Sequence, residues 1–217
     1  LHMKTLFSKL FISLSFVLLL TACATLKNNN TSKPIVIEAS IDLVNINDDK
    51  VQITIAPTAI QGEEILFYLP QIVPGTYEYS NFGRFVEDLK AFDKKGNPLT
   101  VTTVDENSWK IANAKKLGKI IYWVNDTFDG PGGEKIYPMG GTNFDSDKTH
   151  LLNLHSMIGY FDNIKESPYR LSVRSPKNLQ AFTSLPAISK SDSLDIFNAE
   201  RYFHIIDNPI MYSEPNA

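Results

Sequence analysis

Apolar and polar residues alternate with a period of two over much of the chain beyond residue 34. Residues 35–43 alternate after Ile37, residues 47–49 are polar, and residues 51–55 alternate again, which predicts a β-hairpin. Residues 93–98, with Gly96 and Pro98, predict the turn of a second hairpin. Further β-branched and aromatic runs predict strands at residues 65–69, 86–92, 99–104, 109–111, 119–124, 150–154, 169–173, 180–183 and 201–206.

Helical periodicity is not sustained over three turns anywhere in this region, although residues 156–163 fit a short helix. The region contains no internal repeat and no second shift in composition. We therefore expect one all-β domain over residues 34–210, either a β-sandwich or a large twisted antiparallel sheet. Residues 127–148 contain two Gly-Gly pairs and predict a long irregular loop, a kind of segment that is usually functional or mobile.

The N-terminal segment has the pattern of a secretory signal. Lys4 and Lys9 precede a strongly apolar run over residues 10–20. This run is too short to cross the roughly 30 Å hydrocarbon core of a bilayer at about 1.5 Å per helical residue. The sequence that follows, Leu20-Thr21-Ala22-Cys23, resembles the lipobox of bacterial lipoproteins, in which the cysteine is lipidated.

Cys23 is the only cysteine of the chain, which excludes an internal disulfide and favours lipid attachment at this residue. The alternative is a free cysteine at the end of a plain signal peptide. Two or more acyl chains on one residue anchor a protein stably. We expect residues 1–23 to be signal and lipobox, residues 24–33 a flexible tether, and the protein to be exported and lipid-anchored to a bacterial cell membrane, on its periplasmic or cell-surface face.

Charge and motif content exclude several kinds of chemistry. The 24 acidic and 21 basic side chains give a net charge of −3, which argues against a nucleic-acid partner. Neither His-Glu-x-x-His nor Gly-x-Ser-x-Gly occurs, and the glycine-rich loop lacks the spacing of a phosphate-binding loop. We assign no metal or catalytic residue and interpret His150 and His155 as structural. A minor alternative is calcium binding by Asp129, Asp145 and Asp147.

Residues 69–85 are the most unusual segment. Pro74-Gly75 predicts a tight turn, and aromatic residues and an arginine follow it directly. Tyr77, Tyr79 and Arg84 are of types enriched where proteins contact ligands or other domains. The competing interpretation is a strand whose tyrosines and Phe82 pack in the core.

The same segment carries a family resemblance. Leu69-Pro70, then Pro74-Gly75-Thr76-Tyr77, then Phe82-Gly83-Arg84 resembles the N-terminal domain of the glycyl aminopeptidase family, zinc metallopeptidases of family sixty-one. The resemblance continues at residues 89–99, at Trp109, at residues 149–153 and at residues 169–185. Here Ser80 occupies a position where members often carry arginine.

The resemblance implies an N-terminal β domain that packs on a thermolysin-like catalytic domain. That catalytic domain holds zinc through His-Glu-x-x-His and hydrolyses peptides, so the motif's absence implies that this chain is inactive alone and holds no cofactor itself. Residues 211–217 would then lead towards the missing catalytic domain. By this analogy we expect a noncatalytic scaffold and substrate-access domain, with Tyr77, Tyr79 and Arg84 at the substrate cleft or the docking face.

The alternative function belongs to a different class. A stand-alone surface lipoprotein would use a β-sandwich to bind a peptide, a glycan or a protein through the loop of residues 127–148. The sequence encoded beyond Ala217 discriminates the two hypotheses.

Overall fold

Strands dominate the computed structural model, which describes residues 34–73, 75–76, 78–128, 136–145 and 149–215. The described strands are β1 (Ile37–Asn47), β2 (Lys50–Pro57), β3 (Glu64–Tyr68), β4 (Val86–Asp93), β5 (Pro98–Leu99), β6 (Val101–Asp105), β7 (Ser108–Ala112), β8 (Leu117–Asn125), β9 (Asn143–Asp145), β10 (Thr149–Leu152), β11 (Tyr160–Phe161), β12 (Tyr169–Arg174), β13 (Gln180–Phe182), β14 (Ala187–Ser189), β15 (Leu194–Ala199) and β16 (Ile210–Ser213). The described helices are the 3₁₀ turns η1 (Phe82–Phe85), η2 (Ala114–Lys116), η3 (Pro138–Gly140), η4 (Leu154–Ser156) and η5 (Asp162–Ile164), and the α-helix α1 (Tyr202–Ile206). The predicted all-β class is confirmed.

An eight-stranded sheet with the order β14–β15–β12–β1–β2–β8–β4–β5 forms the body of the domain. Burial alternates along β1 and β2, as their sequence pattern predicts, because every second side chain faces the core. The β1–β2 hairpin is antiparallel, whereas β1 and β12 pair in parallel, from Ile37 opposite Tyr169 to Asp42 opposite Arg174. The sheet is therefore mixed.

Two four-stranded sheets complete the fold. We call them the β3 sheet, with the order β11–β3–β7–β6, and the β16 sheet, with the order β13–β16–β10–β9. The predicted hairpin over residues 86–104 is split between sheets: β4 pairs with β5 in the large sheet, while β6 pairs with β7 in the β3 sheet. Thr100 is the point at which the chain changes sheets.

One hydrophobic cluster spans all three sheets. The ring of Phe67 on β3 lies 5.2 Å from Phe161 and 5.8 Å from Tyr122 on the large sheet, measured between centroids. The Tyr122 hydroxyl donates to the Met157 carbonyl at 2.7 Å, and the Tyr202 hydroxyl donates to the Ile158 carbonyl at 2.8 Å. These bonds satisfy two carbonyl groups of a buried segment that connects β10 of the β16 sheet to β11 of the β3 sheet.

Three sequence predictions of local structure are wrong. Residues 202–206 form helix α1 rather than a strand, and residues 156–163 contain parts of two 3₁₀ turns and a short strand instead of one helix. Residues 211–213 belong to β16, although the sequence placed a linker there. Ile210 and Tyr212 of β16 are fully buried, so the folded domain extends to this strand.

The N-terminal predictions lie outside the described residues. These are the signal and lipobox of residues 1–23, lipidated Cys23, and the tether of residues 24–33. Within the described part of the chain, no helix is both long and apolar enough to cross a membrane.

Candidate functional site

The segment between β3 and β4 folds as a turn that doubles back on itself. The Thr76 amide donates to the Val73 carbonyl at 3.2 Å, and Gly75 has a φ of 95°. A positive φ at the third position is the requirement of a type II turn, which explains the glycine. Beyond the turn, the Ser80 amide donates to the Gln71 carbonyl at 2.9 Å. The predicted tight turn is present, and the segment is a short hairpin instead of a continuous strand.

The returning chain is fixed against the β6–β7 turn. Gly83 donates its amide to Oδ1 of Asn107 at 3.0 Å, and Nδ2 of the same side chain donates to Oδ1 of Asn81 at 3.1 Å. A Cβ atom at Gly83 would stand 2.0 Å from the Glu106 carbonyl oxygen. Phe82 and Gly83 of the family-like motif therefore have a packing role, since both are buried.

The structure places the three predicted contact residues in different environments. Tyr79 is 67% exposed and pairs with Ile72, which is 41% exposed, in an isolated β-bridge. Arg84 is half-buried, with its guanidinium carbon 4.8 Å from the centroid of the Phe85 ring. Tyr77 lies outside the described residues. Tyr79 is thus a surface residue, while Phe82 and Phe85 pack in the core.

His155 connects the segment to the glycine-rich loop. Its ring lies 5.1 Å from the Phe82 ring, and its Nε2 lies 2.9 Å from the Gly140 carbonyl oxygen. A carbonyl oxygen only accepts, so Nε2 carries the hydrogen. Burial lowers the pKa of His155 below its usual value, and contacts with the Gly140 and Ile206 backbone and with Asp207 oppose this only in part. The ring is a neutral structural donor at pH 7.

Buried hydrogen bonds hold both described ends of the predicted 127–148 loop. The Asp126 carboxylate accepts the amides of Phe128 and Phe144, each at 2.7 Å. The Thr142 amide donates to Oγ1 of Thr127 at 2.7 Å, and the Thr142 hydroxyl lies 2.6 Å from that of Ser156. These bonds hold residues 126–128 against residues 142–144, and Thr142 contacts Ser156 of η4. We call these hydrogen-bonded residues the fixed base of the loop. Sequence reasoning missed Asp126, although an aspartate directly after a strand was visible.

Large apolar side chains project from this fixed base. Met139 is 77% exposed, Tyr137 46% and Phe128 43%. Tyr79 and Ile72 are exposed on the segment between β3 and β4. We call these five residues the exposed apolar set.

The described residues offer no metal site. No group of three or more histidine, cysteine, aspartate or glutamate side chains converges in this part of the chain. His150 is fully buried on β10, and His155 is fixed by Gly140. Asp129 and Asp147 of the calcium alternative lie outside the described residues. The donor set does not fit zinc, and we assign no zinc-dependent step to these residues.

One solved structure shows the class of fold. An aminopeptidase N family protein from Idiomarina loihiensis superimposes with a TM-score of 0.71 at 19% identity, covering 82% of this chain and 29% of the other. An M1 zinc metallopeptidase from Deinococcus radiodurans gives 0.44 at 10% identity, with coverages of 83% and 42%. Leukotriene A4 hydrolase from Saccharomyces cerevisiae gives 0.40 at 11% identity, with coverages of 83% and 29%.

The family follows from the sequence match. A model of the Peptidase M61 N-terminal domain matches residues 38–214, so the chain belongs to this family. No curated protein matches the chain. The resemblance inferred from the Pro-Gly-Thr-Tyr and Phe-Gly-Arg motifs is confirmed. The chain spans only 29% of the Idiomarina protein, so it corresponds to one part of a longer relative.

Proposed function

We propose that this chain is the noncatalytic N-terminal scaffold and substrate-access domain of a lipid-anchored, glycyl-aminopeptidase-like zinc metallopeptidase. The observation that supports it is the family match over residues 38–214. In this proposal, zinc and peptide hydrolysis belong to a thermolysin-like domain encoded beyond residue 217. The absence of His-Glu-x-x-His from the sequence assigns the catalytic step to that domain.

The test compares two proteins from the same gene. One is the chain over residues 34–215, and the other continues into the sequence encoded downstream. We expect the longer protein to hydrolyse Gly- and Ala-naphthylamides, to lose this activity with a zinc chelator and to recover it with zinc. Residues 34–215 alone are expected to show no turnover. Turnover by the short chain that survives repeated purification, or a gene that stops at residue 217, would overturn the proposal.

Substrate access is assigned to the segment that displays Tyr79. The side chain is 67% exposed on a segment anchored by buried contacts, which suits a contact at the rim of a cleft. In the longer protein, Tyr79→Ala is expected to raise KM several-fold with little change in kcat. Val104→Ala, at a side chain 56% exposed on β6, is the matched control and should leave both constants unchanged. Arg84→Ala and Tyr77→Ala test the other two candidates in the same assay.

Membrane attachment is assigned to Cys23. Mass spectrometry of protein extracted from bacterial membranes should show acyl mass on this residue, and Cys23→Ser should move the protein to the soluble fraction. The physical reason is that two or more acyl chains anchor stably, at about 0.8 kcal/mol for each buried CH₂ group. An unmodified thiol at Cys23 would contradict the anchor while leaving the peptidase assignment open to its own test.

The exposed apolar set supports the second candidate function, a stand-alone lipoprotein that binds a peptide, glycan or protein. The Met139 carbonyl accepts a hydrogen bond from Nδ2 of Asn153 at 3.2 Å, and the Tyr137 carbonyl accepts one from the Gly140 amide at 2.7 Å, so the backbone that carries both side chains is held in place. If this function is correct, residues 34–215 bind members of a peptide or glycan array, and Met139→Ser with Tyr137→Ser abolishes binding. An in-frame His-Glu-x-x-His downstream of residue 217 favours the first function.

A further inference from the structure

A cavity of about 340 Å³ opens between the large sheet and the β16 sheet. Asp195 of β15, which is 5% exposed, forms its floor, and the buried side chains of Leu179 and Ala181 form its walls. Asp195 lies opposite Val173 on β12, which is fully buried, so both side chains point to the core side of the large sheet. The cavity is therefore the open end of the space between the two sheets.

The Asp195 carboxylate at the floor has no cation beside it. The Tyr212 hydroxyl donates to its Oδ2 at 3.0 Å. Burial, and then the negative charge of Asp195, raise the pKa of Tyr212, so this hydroxyl keeps the proton that it donates. Among the described residues, no basic side chain forms an ion pair with Asp195. A buried charge without a counterion is costly, and a positive group that entered the cavity would relieve this cost.

Positive side chains lie at the rim of the same cavity. Nζ of Lys190 donates to the Ala181 carbonyl at 3.2 Å, which holds this ammonium group at the wall, and the exposed Lys177 lines the cavity too. Ser191 fixes the loop that carries Lys190: its hydroxyl donates to the Leu194 carbonyl at 2.9 Å and accepts the Leu194 amide at 3.1 Å. The negative floor and the positive rim are thus both held in place by hydrogen bonds within the chain.

The charges of the cavity select the class of ligand. The donor set does not fit a metal ion, because no group of three or more acidic, histidine or cysteine side chains converges in the part of the chain that the structure describes. The two lysines repel a simple cation, and a simple anion would meet Asp195 at the floor. We propose that the cavity binds a small zwitterion, an α-amino acid or a short peptide, with its ammonium group at Asp195 and its carboxylate at Lys177 and Lys190.

The size and the remaining lining of the cavity agree with such a ligand. Small-molecule sites in proteins span about 300–1,000 Å³, and this cavity lies at the lower end of that range. Gln180 and Ser191 add uncharged polar groups to the lining, and Asp192 adds a second carboxylate. The inference goes beyond the proposed function and does not depend on it, because every lining residue belongs to the described part of this chain.

Titration followed by ¹H–¹⁵N NMR tests the proposal on residues 34–215. The probes are glycine, Gly-Gly and Gly-Gly-Gly, and the comparison compounds are sodium acetate and methylammonium chloride at equal ionic strength. We expect saturable shifts of the amides of residues 179–181 and 191–195. Saturation by glycine identifies an amino-acid site, whereas saturation by the peptides alone identifies a peptide site. Acetate and methylammonium should bind at least about tenfold more weakly, since each lacks one of the two charged contacts.

Two substitutions remove one charge each from the cavity. Asp195→Asn keeps an acceptor for the Tyr212 hydroxyl, and Lys190→Met keeps the apolar stem of the side chain. Each should weaken binding of the zwitterion at least about tenfold. Asp88→Asn, at a side chain 71% exposed on β4, and Lys95→Met, at an exposed turn position, are the matched controls and should leave the affinity unchanged. Circular dichroism melts of all four variants establish that each one folds.

The possible outcomes separate this inference from the proposed function. Shifts that do not saturate with any zwitterion would show a cavity that holds water only and would overturn the inference. Equal affinity for methylammonium and glycine would reduce the site to a cation contact, and binding unchanged in both Asp195→Asn and Lys190→Met would place the ligand elsewhere; each result overturns it as well. A longer protein that does not hydrolyse naphthylamides would overturn the peptidase function and leave the zwitterion site unaffected.

Discussion

At the scale of single residues, Gly83 shows how a family-like motif is fixed by packing. Its amide donates to the Asn107 side chain, and the space where a Cβ would stand is occupied by the Glu106 carbonyl and the Asn107 Cα, the latter at 2.7 Å. Backbone atoms cannot move aside as flexible side chains do. Position 83 therefore accepts only glycine, because any side chain there would push the segment that carries Tyr79 away from the β6–β7 turn.

We predict that Gly83→Ala lowers the free energy of unfolding by about 3 kcal/mol, the upper part of the range for overpacked sites. Urea unfolding of residues 34–215 measures the change. Gly140→Ala is the matched control, because its Cβ would meet its nearest atom at 3.7 Å, an ordinary contact, and it should change stability by less than about 1 kcal/mol. Equal stability of both variants would contradict the close approach at Gly83.

His155 makes stability depend on pH. Burial lowers its pKa in the folded protein, so below about pH 6.5 the unfolded chain binds more protons than the folded one. Stability is therefore complete above this pH and decreases as the pH falls towards the lower, folded pKa. A single group of this kind gives a slope of at most about 1.4 kcal/mol per pH unit.

We predict that His155→Gln reduces the loss of unfolding free energy between pH 7 and pH 5.5. The reduction is at most about 1.4 kcal/mol for each pH unit below 6.5. Urea unfolding at a series of pH values gives the measurement. If His155→Gln and the parent have the same pH profile, the histidine is not the titrating group.

At the scale of elements, β16 is the strand on which the β16 sheet depends. It pairs with β10 and with β13, it buries Ile210 and Tyr212, and the Tyr212 hydroxyl donates to the Asp195 carboxylate at 3.0 Å. The strand therefore joins the β16 sheet to β15 of the large sheet. A boundary placed before it divides one folded unit.

We predict that ending the chain at residue 209 destabilises the domain by at least about 4 kcal/mol relative to ending it at residue 215. Two fully buried side chains at about 1.5–3 kcal/mol each, together with the lost ladder, account for this value. Soluble yield and urea unfolding of the two fragments give the comparison. Similar stability of the two fragments would show that the domain folds without β16 and would contradict this prediction.

The elements that could be predicted are those whose pattern is local. β1, β2, β3 and β12 alternate or cluster as strands do, and their ranges match the sequence prediction closely. Helix α1 could not be predicted, since Tyr202, Phe203 and two isoleucines favour a strand. The Tyr202 amide and hydroxyl donate to the carbonyls of Lys165 and Ile158, which are distant in sequence, so the start of the helix depends on contacts that a local pattern does not contain.

In the candidate site too, only the features that depend on local sequence could be predicted. The turn at Gly75 was visible because its requirement is a single residue type at a single position. Whether Tyr79 faced solvent could not be read from the sequence, because aromatic residues occur both in cores and at interfaces. The β16 sheet could not be predicted either, because its strands are three or four residues long and come from three separate parts of the chain.

At the scale of the whole molecule, the single hydrophobic cluster predicts cooperative unfolding. The two tryptophans report on different sheets, Trp109 on β7 of the β3 sheet and Trp123 on β8 of the large sheet. Within residues 34–215, Trp123→Phe keeps Trp109 as the reporter, and Trp109→Phe keeps Trp123. Circular dichroism measures how much each substitution changes the stability. After correction for this change, the two tryptophan fluorescence transitions should coincide. Separate transitions would show that the β3 sheet unfolds independently.

The parallel pairing of β1 with β12 sets the order in which the domain can form. Glu38 and Arg170, opposite each other in this pair, are 132 positions apart. On a ribosome that makes the protein from its N-terminus, β1 meets β2 early, but its other edge has no partner until residues 169–174 have been synthesised. Contacts this distant in sequence make folding slow. The nascent chain therefore cannot complete the large sheet until most of it has been synthesised.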